Sequence, residues 1–200
     1  LFTGGLSFAQ NKTIQKIENY ISEGRNNSAL KILDSLEIKK PSSKKLAQIY
    51  LLKAKAYDNE NLSNEAFESY IRSKKAFLAI DSIDKAMSIN LDIAYLLSMQ
   101  KNNQKSAENY IKEYLTYTKE SKKNSLTAKG YSSWASLLIN EHPEQSLKYF
   151  REAMRYNSQD KDEKIYSKIY SNMAVLFNEK LQQPDSALVY IEKSTQIAKK

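Results

Sequence analysis

Tyr50–Tyr70 reads YLLKAKAYDNENLSNEAFESY, and its reading decides the fold. Ala54 is followed three places later by Tyr57, a polar turn runs from Asp58 to Asn64, and Ala66 is followed four later by Tyr70. Small residues on facing helices let two backbones approach closely while rings fill the space beside the contact. The stretch therefore predicts two antiparallel helices joined by a short turn.

The layout recurs. Ala29, Ala66, Ala107, Ser146 and Ala187 follow one another at spacings of 37, 41, 39 and 41 residues. Each has a bulky residue four places on: Leu33, Tyr70, Ile111, Phe150 and Ile191. Upstream of them stand Ile17, Ala54, Ala94, Ala135 and Ala174, where the first helix of each pair needs its own contact residue. Ile17 departs from the small-residue pattern, and so does Tyr114 in the third second-helix. Trp134 takes the large slot beside Ala135. Pro41 closes the first pair, whereas Pro143 and Pro184 suit the first turn of a helix.

This pattern resembles the tetratricopeptide (TPR) repeat: large–small–x–x–aromatic, then Ala, then an aromatic four later. The resemblance covers Asn11 to Lys200. It is fullest in the second, fourth and fifth repeats, and spacings above the usual ~34 residues imply helices about a turn longer than standard. It implies an all-α fold, an α-α superhelix: a right-handed solenoid of about five helix pairs.

Composition agrees. With 4 Gly and 3 Pro in 200 residues the chain is short of the turn-formers that a β-rich fold needs. It has no Cys, which removes disulfides, thiol nucleophiles and cysteine zinc sites. The formal charge of +8 includes lysine pairs such as Lys39/Lys40, Lys74/Lys75 and Lys122/Lys123 at helix ends and turns, mixed with acids. Lysine at a helix C-terminus is favoured by the macrodipole. The expectation is a solvated surface, with no specific nucleic-acid partner for this chain.

Residues 1–10, LFTGGLSFAQ, stand apart as a signal-peptide remnant or a disordered N-terminus, before a repeat domain at 11–200. Ser7-Phe8-Ala9 matches a secretory cleavage triplet, so a periplasmic or extracytoplasmic location is expected, with a cytoplasmic one as the alternative. No stretch approaches the ~18 apolar residues of a membrane span, so any membrane contact would come from other segments.

Catalytic, cofactor and metal residues are expected to be absent. His142 is the single histidine and sits in a turn. Ser-x-x-Lys at Ser28/Lys31, Ser42/Lys45 and Ser82/Lys85 is expected by chance in a chain this rich in both residues, and lacks companion motifs. The chain is therefore expected not to be an enzyme.

What is left is a surface. Stacked helix pairs line a concave groove with their first helices. Counting from the small residues, that face is expected to present Lys55, Asp58 and Asn59; Tyr95 and Ser98; Ser132 and Ser136; and Lys168, Ser171, Asn172 and Val175. The resemblance implies a protein or peptide ligand there, and a role as the exported sensor region of a larger signalling or transcriptional regulator. The alternative is a cytosolic adaptor, or a peptide-sensing transcription factor with its DNA-binding domain elsewhere.

Overall fold

The computed structural model describes residues 3–100 and 103–199, with side chains from Lys12 onward. Leu1, Phe2 and Lys200, which fall within the sequence expectations for residues 1–10 and 11–200, lie outside the described residues. Among the described residues there are ten α-helices and no strand. The all-α, α-α superhelical class expected from the sequence holds. The helices are α1 Thr3–Ser22, α2 Asn26–Ile38, α3 Ser43–Asn59, α4 Ser63–Leu78 and α5 Ile83–Ser98. After them come α6 Gln104–Glu120, α7 Asn124–Leu138, α8 Pro143–Asp160, α9 Glu163–Val175 and α10 Pro184–Ala198. Helix α1 begins at Thr3, eight residues before the start that periodicity suggests. Two compact units divide at Leu96/Leu97.

The small residues sit where helices meet. Ala29, Ala54, Ala66, Ala94 and Ala135 are fully buried, and so is Ser146, whose hydroxyl donates to the Ala135 carbonyl at 2.8 Å. Such a bond lets a hydroxyl replace a methyl without leaving a polar orphan. Ser73 does the same on the Ala47 carbonyl at 2.8 Å. In the first unit, Ile17, Ala29, Leu33, Ile49 and Leu52 form one buried cluster. Lys53 of α3 is bonded to Asp34, at 2.6 Å, and to Glu37 of α2. Burial works against its ammonium, but the two carboxylates outweigh that and its pKa is raised.

The second unit solves one packing problem by exchange. Tyr114 of α6, the odd residue in the repeat pattern, is fully buried. Facing it on α7 is Gly130, where an added Cβ would lie 2.8 Å from the Tyr114 ring and 2.7 Å from Leu115. The register positions of Gly130 in α3, α5 and α9 are Ile49, Ile89 and Ile169. A ring has been gained on one helix and a branched side chain given up on the next, which conserves volume in the layer.

Turns explain how the chain manages with so little glycine. Gly24, Asn61, Asp81 and Lys122 adopt left-handed backbone conformations, with φ of 73°, 59°, 54° and 53°. After each, the next residue's N–H reaches back five places: Arg25 to Tyr20, Leu62 to Tyr57, Ser82 to Phe77 and Lys123 to Thr118, at 2.7 to 3.0 Å. This is the Schellman termination, which satisfies carbonyls the helix end leaves bare. Lys40 and Lys161 are also left-handed. The turns between pairs thus fall at Lys40, Asp81, Lys122 and Lys161, spaced 41, 41 and 39 residues. A single π-helical turn, Leu176–Lys180, extends α9 before Pro184 opens α10.

Candidate functional site

The first helices of the pairs carry the candidate site, and helix geometry sorts its residues. With about 100° per residue, positions one and five after the small contact residue, and two and six before it, point about 100–160° away from the buried seam. Positions four after and three before it lie only about 40–60° from the seam. Lys55, Asn59, Tyr95, Ser136, Lys168, Asn172 and Val175 belong to the first class. Asp58, Ser98, Ser132 and Ser171 belong to the second.

The second class corrects part of the sequence expectation. Ser132 does not face outward: it is 2% exposed, because its position turns it toward the seam. Asp58 is half-buried and accepts a hydrogen bond from the Tyr70 hydroxyl on α4. Burial raises the Asp58 pKa, and the Tyr70 bond only partly opposes that. Burial also pushes the Tyr70 hydroxyl strongly up, with the Asp92 and Asp58 charges adding to it. Ser171 is exposed, but its hydroxyl lies 2.8 Å from that of Ser194, on its own pair partner α10. Ser98 is half-buried.

The first class divides by unit. In the first unit a cleft of about 300 Å³ opens on α1, α3 and α5. Its apolar wall is formed by Ile14, Leu51, Leu52, Ile89 and Phe77. Lys55 and Lys85 stand at it with Glu18, Asp84 and Asp92, and Gln48 and Ser88 complete the lining. The Lys85 ammonium lies 5.7 Å from the centre of the Phe77 ring. Both signs of charge therefore flank an apolar surface. Of the expected residues, Lys55 alone lines this cleft. Tyr95 is half exposed, one repeat on from Lys55 in register. Asn59 is exposed but tied down: its amide donates to the Ile21 carbonyl and to Asn26, each at 3.3 Å. Asn26 in turn donates to Glu60 at 2.8 Å, so Asn59 belongs to a brace between the first two pairs.

In the second unit Asn172 donates to the Ser136 hydroxyl at 2.8 Å, joining α7 and α9 directly. Lys168 and Val175 are exposed. Gln48, Ser88 and Asp92 went unread in the sequence, although register finds them: Gln48 and Ser88 are six before Ala54 and Ala94, and Asp92 is two before Ala94. His142 occupies the N-cap position of α8 without a side-chain capping bond. Among the described residues no group of acids and histidines is arranged to hold a metal ion, and no helix is long and apolar enough to cross a membrane.

Comparison with known proteins places this geometry in a wider fold. The chain is similar to the crystal structure of BtubC (BKLC) from P. vanneervenii, with a TM-score of 0.60 and 16% identity. The match covers 94% of this chain and 90% of that one. What the two share is a helical-repeat fold. No family model and no curated protein matches the sequence. The expectation that the chain is not an enzyme is withdrawn: it rested on missing motifs, and a neighbour at 16% identity establishes the fold without establishing enzymatic status.

Proposed function

We propose that this chain is a TPR-type binding module whose ligand, an extended peptide segment of a partner protein, seats in the α1/α3/α5 cleft. The cleft itself carries the reading: about 300 Å³ on the first-helix faces, with an apolar wall flanked by Lys55, Lys85, Glu18, Asp84 and Asp92. An apolar wall supplies contact area, and flanking charges fix the direction and register of a bound chain. The exported sensor role belongs to the same proposal, supported by the Ser7-Phe8-Ala9 triplet.

The test uses a random-peptide library panned on the chain, with a selected peptide then titrated by fluorescence anisotropy. Lys55→Glu is expected to weaken binding at least about tenfold, or roughly 1.4 kcal/mol. Lys148→Glu, exposed on a second helix, should leave it unchanged. Peptides indifferent to Lys55→Glu, or a panning that selects none, would overturn the assignment.

A further inference from the structure

The charges around the cleft are sorted rather than scattered. Helix α5 supplies three of them, Asp84 and Lys85 near its start and Asp92 about two turns on. That interval of helix puts about 12 Å between Asp84 and Asp92. Between them α5 shows the cleft only uncharged groups, Ser88 and Ile89, and the Ser88 hydroxyl donates to the Asp84 carbonyl of its own helix at 2.8 Å. Asp84, Ser88 and Asp92 recur every fourth place and so form one stripe along the helix. Lys85 lies off that stripe, its ammonium 5.7 Å from the centre of the Phe77 ring. Lys55 of α3 and Glu18 of α1 each stand one place after their contact residue, and Asp92 two before its own, so these three share the far end. Each end of the cleft therefore holds both signs of charge, around an apolar middle.

Size and spacing then restrict the ligand. A helix with its side chains is ~10 Å across, so two turns of it would overfill about 300 Å³. An extended chain rises ~3.3 Å per residue and sends alternate side chains to the same side. Two of its residues four places apart thus face one way at ~13 Å, which matches the Asp84–Asp92 interval. The residue midway between them faces the same way and meets Ile89. A residue next to either of the two turns to the opposite side, where Lys55 stands.

We infer that the cleft takes an extended segment of a partner protein with two basic residues four places apart, an apolar residue midway and an acidic residue next to a basic one. Asp84 and Asp92 receive the basic pair, Ile89 and its apolar neighbours the middle residue, and Lys55 the acid. The inference rests on the peptide reading of the cleft and adds the class of sequence that the cleft selects.

The probe is acetyl-Glu-Lys-Ser-Leu-Ser-Lys-Glu-amide, which carries the pattern in either direction and has no charged terminus. Calorimetric titration is expected to give a Kd on the order of 100 µM, because ordering a short flexible peptide costs much of what its contacts yield. Removing one Ser sets the lysines three apart, on opposite sides of the chain, and should weaken binding at least about tenfold. Asp84→Lys should weaken it as much, and because Asp84 is exposed the variant should melt like the parent. Exchanging one peptide Lys for Glu should then restore binding to that variant, which a misfolded chain could not do. Three results would overturn the inference: no binding at millimolar peptide, equal binding of the shortened peptide, or no restoration by the exchanged one. In each case, library peptides that still depend on Lys55 would keep the cleft reading and strike only its sequence class. If those peptides fail as well, both fall.

Discussion

The two units hold the same register positions and use them oppositely. In the first, the places one after and two before the small residue are Lys55 and Asp92, which line an open cleft. In the second they are Ser136 and Asn172, which bond to each other at 2.8 Å across neighbouring first helices. Short side chains that meet directly stitch two helices together, whereas charged ones around an apolar wall leave room for something else. The backbone offers both faces, and side-chain length and charge decide which becomes a site.

That comparison presumes that each unit's helices are held in place by their own packing, and the largest expected effect strikes there. Gly130→Ile alone should cost the second unit about 3 kcal/mol or more by overpacking, and Tyr114→Ala alone a similar amount through a cavity. The double variant restores the ring-for-branch exchange in reverse, so it should recover much of both losses. A double-mutant cycle in urea measures this, and strict additivity would dissolve the exchange.

In the first unit Tyr70→Phe removes the donor from a half-buried carboxylate and should cost about 2 kcal/mol. An unchanged urea midpoint would show that Asp58 finds another donor. Smaller again, Asn172→Ala should cost about 1 kcal/mol by cutting the stitch to Ser136. If the same variant left the melt untouched, the contrast between stitched and open faces would lose its energetic basis.

The smallest effect is a pH dependence. Burial raises the Asp58 pKa, so the stability it contributes is full below the unfolded carboxylate range and lost as pH rises through the folded value. Asp58→Asn should therefore raise the melting temperature at neutral pH, with the gain vanishing in acid. A gain that grew toward acid would reverse the sign and refute the burial argument.

Much of this was legible in the sequence, for a physical reason. Close helix contacts demand small residues, so Ala54, Ala66, Ala135 and Ser146 announced the pairs through spacing alone. The turns were legible only as polar stretches, because Lys40, Lys122 and Lys161 take left-handed backbones that lysine does not advertise. Tyr114 read as a departure until Gly130 was seen against it, since volume exchange between helices leaves no local mark. The site was harder. Asp58 and Ser132 were counted as outward although they lie only about 40–60° from the seam, and a side chain's reach decides burial at such angles. Asp92, Glu18 and Asp84 look like ordinary helix-surface charges until three helices bring them to one cleft.

Trp134 has a consequence for how the chain reports on itself. It is the single tryptophan, half-buried on α7 and stacked on Tyr149 of α8 with ring centres 4.5 Å apart. Indole emission is thus an optical gauge of the second unit alone, while circular dichroism near 222 nm averages over every helix. Overlaying the two signals along one denaturation curve asks whether the halves let go together or in turn, without any label or substitution. The chain carries its own built-in spectroscopic asymmetry.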